Sequence, residues 1–222
     1  MNQFETLSLE HSSTVDRVAH ELRRALFDGE VEAGTPLREV ALAGAMGVSR
    51  STIREALGAL VGQGLATRAP NRGVHVSAPD AASVRDVFAA RRVLEAAGVR
   101  RWVEADEEAR AACRRAMSAF TAAAEQEAGP AELTAAHLAI HRSFVGLTGS
   151  NRLVALAETL TSEIRLALAT VDRLQRDAGD QVHSHADLIG LLEAGDLDGA
   201  AHELEHHLVS AEQAMLAALD LV

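Results

Sequence analysis

The sequence predicts a mainly α-helical protein in which an N-terminal winged helix-turn-helix precedes a C-terminal, all-α bundle of six helices. Alanine and leucine, which cost little free energy to hold in a helix, are abundant, whereas tyrosine is absent and proline occurs only 4 times. Apolar residues recur at helical spacing along most of the chain, except for two short β-like runs within residues 64–76. The 222 residues suffice for two modest domains, which we place at 1–79 and 80–222.

The N-terminal half divides into three helices and a hairpin. Apolar spacing predicts a first helix from about Thr14 to Phe27, with Thr14 as its N-cap, after a loose arm without periodicity. A short second helix, Arg38 to Met46, ends at Gly47, and Ser49 caps a third helix directly behind it. The β-like runs on either side of PNRG then predict a hairpin.

From residue 81 onward the pattern is helix after helix, with breaks at AGP, TGSN, DAGDQ and AGDLD. We predict six helices, at about 81–104, 106–128, 130–148, 151–175, 180–194 and 197–220. No apolar run approaches the roughly 20 residues of a membrane span, and the acidic N-terminus is unlike a signal peptide. The single cysteine, Cys113, fits a reducing compartment, so we expect a cytoplasmic protein without membrane contact.

The formal net charge of -11 argues at first against a nucleic-acid partner. The acidic surplus, however, lies almost entirely beyond residue 79. Between Arg38 and Val76 the balance is positive, because five arginines outnumber two glutamates: Arg38, Arg50, Arg54, Arg68 and Arg72 against Glu39 and Glu55. Since salt screens charges beyond about 8–10 Å, this local basic face is able to bind phosphates on an acidic protein.

Two helices joined by a tight glycine turn, the second with arginine and serine at its start, are typical of a helix-turn-helix. A helix fits the major groove, and its first turn reaches the base edges while its amides face phosphates. The hairpin would supply a wing that places Arg68 and Arg72 on the DNA backbone or in the minor groove. The alternative is a small helical subdomain whose arginines are merely solvated.

The segment LREVALAGAMGVSRSTIREALGALVGQGLATRAPNRGVHV resembles the winged helix of the GntR family of transcription regulators. The resemblance implies a repressor that binds double-stranded DNA, and we expect a homodimer on an inverted repeat. It further implies DNA contacts by residues of the third helix and of the wing tip: Ser49, Arg50, Ser51, Thr52, Arg54, Arg72 and Gly73. Many members of the branch have proline at position 52. Arg38, before the second helix, either touches a phosphate or is simply solvated.

Four of the 10 histidines lie on the apolar stripes of three predicted helices. His137 and His141 are four residues apart on one stripe, and His185 and His207 each lie on another, whereas His183, His202 and His206 lie off the stripes. Four inward imidazoles need polar partners, and one metal ion would satisfy several of them at once. Ordinary hydrogen bonds within the core are the alternative.

The segments AHLAIHRSFVGLTGSNRL and HADLIGLLEAGDLDGAAHELEHHL resemble the ligand-binding FCD half of the FadR-type branch of GntR regulators, and six helices are similar to its VanR-like subgroup. That resemblance implies a metal site of one aspartate and three histidines. His141, His185 and His207 match the histidines, and His137 stands where the family has aspartate. An all-nitrogen site favours one Zn²⁺ or Ni²⁺ ion per chain over Mg²⁺ or Mn²⁺.

The same resemblance implies a small carboxylate effector beside the metal. Arg92 and Glu95 match an RxxE pattern of the family, and Arg92 would hold the carboxylate. An internal Arg–Glu pair between helices is the other interpretation. Three further functions stay open for the helical half: a regulator that has the metal itself as signal, a helical metalloenzyme, and a dimerisation module without a metal. Against the enzyme, no carboxylate stands in ExxH spacing to His137 or His141 and no nucleophile–base set appears. Glu203 is the only nearby candidate base, and it could equally orient a ligand.

Overall fold

In the computed structural model, which describes residues 13–69, 72–175 and 178–219, the first half of the chain is a winged helix-turn-helix. This half consists of α1 (Thr14–Phe27), α2 (Glu39–Met46), α3 (Arg50–Gly62), β1 (Ala66–Ala69) and β2 (Gly73–Val76). Its core is built by the apolar faces of α1 and α3, with Leu22, Ile53, Leu57 and Leu60 buried. The predicted fold class is therefore confirmed for this half.

Side-chain hydroxyls set where the first and third helices begin. Ser13, and not the expected Thr14, is the N-cap of α1: its Oγ accepts from the Asp16 N–H, and the Asp16 carboxylate accepts from the Ser13 N–H. Thr14 is already helical, so it cannot serve as the cap. Ser49 caps α3 as predicted, accepting from the Thr52 N–H at 3.1 Å. Gly47 ends α2 in the left-handed region, at φ 65°.

The two strands form an antiparallel hairpin that is tied to the segment before α2. Ala66 lies opposite Val76, and Ala69 lies opposite Gly73. The Leu37 N–H donates to the Val74 carbonyl at 2.8 Å, which fixes the hairpin against the start of α2. Pro70 and Asn71, half of the predicted turn, lie outside the described residues.

The second half is all helical in its described part, as predicted. Its six helices are α4 (Ala81–Val99), α5 (Glu107–Glu125), α6 (Pro130–Gly146), α7 (Asn151–Gln175), α8 (Ala178–Glu193) and α9 (Leu197–Ala218). Helix α4 ends five residues earlier than predicted, because the chain turns there to bury Trp102. The predicted domain boundary falls between β2 and α4, where Asp80 caps α4. No helix within the described ranges is long and apolar enough to cross a membrane.

Helix α7 belongs to the cores of both halves. Leu166 and Ala169 are buried among the apolar residues of the winged helix-turn-helix, whereas Ile164, Leu168 and Val171 belong to the core of the helical half. The two halves also meet where Gly64, at φ 69°, packs against the backbone of Ser162. A Cβ at position 64 would overlap the Ser162 carbonyl, so only glycine permits this approach.

A second close approach gives the first prediction. Gly98 of α4 packs on α6, and a Cβ there would overlap the Phe144 carbonyl. We expect Gly98→Ala to lower the free energy of unfolding by about 1–3 kcal/mol, because the backbones must separate. Gly190→Ala, the control on α8, points into open space and should raise it by about 0.5–1 kcal/mol through helix propensity. Urea unfolding measures both variants, and equal stabilisation by the two would contradict the packing.

Candidate nucleic-acid interface and metal centre

The start of α3 and the hairpin flank one exposed cleft of about 560 Å³. Four arginines line this cleft: Arg38, Arg50, Arg68 and Arg72. All four are exposed, and Gly73, at φ 81°, lies among them. The structure thus brings Arg38, Arg50, Arg72 and Gly73 together with Arg68, the other wing arginine of the sequence analysis, and their contact with DNA remains a prediction. A positive cleft beside a helix N-terminus is complementary to a phosphate backbone.

Arg54 lies one helical turn beyond Arg50 and is held by a carboxylate of α2. Its Nε and Nη2 donate to the two carboxylate oxygens of Glu39, at 2.9 and 2.7 Å, and Arg50 Nη2 lies 3.8 Å from the same carboxylate. The Arg54 hydrogen bonds hold the pKa of the Glu39 carboxyl below its usual value. Arg54 remains about half exposed, so its other N–H groups stay available to a ligand. Sequence reasoning missed this role of Glu39, since 15 residues separate the partners.

The three hydroxyls at the start of α3 form one small network. Ser49 Oγ lies 2.8 Å from both Ser51 Oγ and Thr52 Oγ1. Ser49 and Ser51 are exposed, and Thr52 is half-buried. Its capping bond thus holds Ser49 at the exposed start of α3, next to Ser51. Contact of these three residues with DNA remains a prediction.

The four inward histidines of the sequence analysis meet in the core of the helical half. His137 and His141 come from α6, His185 from α8 and His207 from α9. Each offers a ring nitrogen, and these four nitrogen atoms lie within 4.8 Å of one another. His137, His141 and His185 are buried, whereas His207 is partly exposed. His183, His202 and His206 are exposed, as the stripes predict.

Hydrogen bonds determine which nitrogens point at the centre of this cluster. His141 Nδ1 donates to the Glu95 carboxylate at 2.7 Å, and His185 Nδ1 donates to the Gln181 backbone carbonyl at 2.6 Å. Burial lowers the pKa of His141 well below its usual value and that of His185 to about 3, so both rings are neutral. Each Nε2 then carries a lone pair and no proton. These two Nε2 atoms face each other at 3.2 Å.

This arrangement fits a divalent cation. Two lone pairs 3.2 Å apart repel unless a positive charge lies between them, and His207 Nε2 is buried without a hydrogen-bond partner among the described residues. Burial also lowers the pKa of His207. Nitrogens at about 2.0–2.1 Å from a tetrahedral zinc ion are about 3.3 Å apart. The observed separations, 3.2 Å and 3.3 Å (His137 Nε2 to His141 Nε2), match that spacing.

Of the two predicted effector residues, Glu95 reaches the cluster and Arg92 lies elsewhere. Glu95 orients His141, and burial raises the pKa of its carboxyl while Arg91 opposes that rise. Arg91 is itself buried and donates to Glu95 at 2.9 Å, an internal pair within α4. Arg92 instead donates to Glu212 of α9 at 2.6 Å. Helical spacing alone does not decide which of two adjacent arginines faces inward.

A cavity of about 210 Å³ lies beside the cluster, and His137 and His207 form part of its wall. Four apolar side chains line it: Leu168, Val171, Ala211 and Ala214. Its polar lining residues are Asp180, Gln181, Ser184 and Ser210. The cavity suits a small ligand that carries both polar and apolar atoms.

Comparisons with known proteins agree with this architecture. Residues 14–76 match the model for bacterial regulatory proteins of the gntR family, and residues 86–210 match the FCD domain. The "probable D-xylose utilization operon transcriptional repressor" of Paenarthrobacter nicotinovorans is 28% identical over 200 residues, which cover 83% of this chain and 81% of that protein. The gluconate operon transcriptional repressor of Bacillus subtilis is 35% identical over 98 residues, 44% of this chain and 40% of that one.

Among solved structures, a GntR regulator from Rhodococcus sp. RHA1 superimposes with a TM-score of 0.72 at 29% identity, covering 91% of this chain and 97% of that one. The likeness thus extends over both halves, as the resemblance in the sequence implies. The chain belongs to the gntR family of bacterial regulatory proteins, with an FCD domain behind its helix-turn-helix, and is a transcriptional regulator rather than an enzyme.

Proposed function

We propose that this regulator represses transcription from an operator that it releases when a small organic acid binds beside a metal ion in the FCD domain. The observation that carries the proposal is the position of α7. Leu168 and Val171 line the cavity at the histidine cluster, while Leu166 and Ala169 of the same helix are packed in the core of the DNA-binding half. A ligand that displaces α7 in the cavity therefore acts on the DNA-binding half through direct packing.

The operator is expected to be an inverted repeat that a homodimer binds. A single winged helix contacts few base pairs, and two-fold pairing doubles those contacts against the many competing sites of a genome. The relatives named above are repressors by name, which favours repression over activation.

Arg50 and Arg54 are the side chains on which base recognition should depend. We expect Arg50→Ala and Arg54→Ala each to weaken binding to a duplex selected from random DNA by about 1–3 kcal/mol, with the fold intact. Arg115→Ala, an exposed arginine of α5, is the control and should change nothing. Fluorescence anisotropy measures the affinities. Unchanged selective binding in both α3 variants would refute this docking.

The metal site would be held by His137, His141, His185 and His207, with Zn²⁺ or Ni²⁺ as the ion. A bound divalent ion would supply a charge of +2 and an open position for an anion. The protein contributes the geometry: Glu95 and the Gln181 carbonyl fix the tautomers of two ligands, and Arg91 holds Glu95 in place. Since the Arg91–Glu95 pair is neutral as a whole, that pair does not compensate the ion's charge.

Glu95→Gln tests this arrangement. An amide is a weaker acceptor for the His141 N–H, so the zinc affinity should fall about 10- to 100-fold in competition with a chromophoric chelator. Glu203→Gln is the control, because Glu203 also lies on a helix of the bundle but forms no hydrogen bond or ion pair with the cluster in the described chain. This variant should bind zinc as the wild type does. His207→Ala should lose the rise in melting temperature that Zn²⁺ or Ni²⁺ gives the metal-free protein. A wild type that shows no such rise would refute the site.

The acid is expected to be a hydroxyl-bearing monocarboxylate. The hydroxyls of Ser184 and Ser210 and the amide of Gln181 are suited to ligand hydroxyls, and the Asp180 carboxylate disfavours a second acid group. One relative is named for a gluconate operon, and gluconate is an acid of this class. The described residues around the cavity include no arginine, so Arg92 would act only indirectly, through Glu212.

Gluconate should lower the operator affinity of the metal-loaded wild type and leave His207→Ala unaffected. We expect Ser184→Ala to raise the half-maximal gluconate concentration about 2- to 10-fold, because one hydrogen bond is lost. Ser118→Ala, exposed on α5, is the matched control. If metal alone altered operator affinity and no acid did, the ion itself would be the signal and the effector proposal would be wrong.

A further inference from the structure

A second cavity, of about 290 Å³, lies where the two halves of the chain meet. Gly62 and Gln63, at the end of α3, form the wall on the DNA-binding side. The other wall comes from α6 and α7, and includes Arg142, Glu158 and Arg165. No residue that lines this cavity also lines the one at the histidine cluster, so the two are separate sites.

Arg165 is a partly buried cation that forms no ion pair within the described residues. Its Nε is buried and has no hydrogen-bond partner among those residues. Burial, and next the nearby Arg23 of α1, lower the pKa of Arg165, while the attraction of Glu158 opposes part of this shift. The Nε of Arg23 is likewise buried and has no hydrogen-bond partner among the residues that the structure describes. A partly desolvated guanidinium near a second cation is unfavourable, and an anion in the cavity would lower that cost.

The remaining polar groups of the cavity leave part of this positive charge uncompensated. Arg142 and Glu158 neutralise each other, with Arg142 Nη1 2.7 Å from the carboxylate. Thr161 and Ser162 donate their hydroxyl protons to carbonyls of their own helix. Gln63 lines the cavity from the DNA-binding half. Its Oε1, buried without a partner in the part of the chain described, is an acceptor that an anion does not satisfy, so only its amide N–H groups can donate to one. The amide and the guanidinium are the donors that a ligand would meet.

We propose that this cavity binds a small oxyanion, held by the Arg165 guanidinium and the Gln63 amide, which links the DNA-binding half to the FCD domain. A phosphate group and a carboxylate share the chemistry that this site recognises. Because the ligand touches both halves, its binding stabilises the arrangement in which α3 and α7 lie together, and so changes the operator affinity by linkage. This site acts independently of the metal and of the acid beside it.

Calorimetric titration of inorganic phosphate into the full-length, DNA-free protein tests the proposal. We expect saturable binding by the wild type and an affinity at least about tenfold lower in Arg165→Gln, since a charge-assisted hydrogen bond is lost. Arg152→Gln is the matched control, because Arg152 is exposed on the same helix and does not line the cavity. Circular dichroism melts, recorded without phosphate, establish that each variant is folded. Gln63→Ala tests the contact from the other half and should also weaken binding.

Acetate, titrated in parallel, identifies the source of the oxyanion. Binding of phosphate or of acetate that is lost in Arg165→Gln and kept in Arg152→Gln supports the site and names its ligand class. Binding that survives Arg165→Gln and is lost in His207→Ala belongs to the metal site and overturns the proposal. The absence of saturable binding of either anion to the wild type overturns it as well.

Discussion

Burial of imidazole rings between α6, α8 and α9 is unfavourable unless every ring nitrogen meets a donor, an acceptor or a cation. The arrangement of α4 follows from this requirement. His141 needs an acceptor for its Nδ1 proton, Glu95 supplies it, and the buried carboxylate in turn needs the guanidinium of Arg91. Two charged residues therefore lie on the buried face of α4, which otherwise packs through Val84, Val87 and Phe88. The polar chain of contacts runs from one side of the bundle to its centre.

His137 is the point at which this chain departs from the pattern that its resemblance implies. An aspartate at that position would carry a negative charge, whereas a neutral imidazole carries none. Phe120 stacks on the His137 ring at 5.3 Å between centroids, a contact that an aspartate would not make. The replacement thus exchanges a charged side chain at the centre for aromatic packing at its edge. If a divalent ion binds there as proposed, we expect the site to attract anions more strongly than one with an aspartate ligand.

Periodicity of the apolar residues predicted those features of the structure that depend on a single helix. The apolar stripes gave the helices of both halves and separated His137, His141, His185 and His207 from the three exposed histidines. Periodicity does not predict which side chains of different helices meet. Arg91 and Arg92 both interrupt the stripe of α4, and only the position of α9, which carries Glu212, decides that Arg92 turns away. The Glu39–Arg54 pair and the contact of Gly64 with Ser162 likewise arise from tertiary packing.

The packing of α7 in both hydrophobic cores also affects how the chain can be divided into separate fragments. Leu166 and Ala169 complete the apolar core of the first half, although they lie far beyond the predicted boundary at residue 79. A fragment that ends at that boundary keeps every arginine of the predicted DNA interface but loses part of its own hydrophobic interior, and exposes the surface that α7 covers. The N-terminal half can therefore be exchanged between relatives only where the helix equivalent to α7 carries matching small and branched side chains.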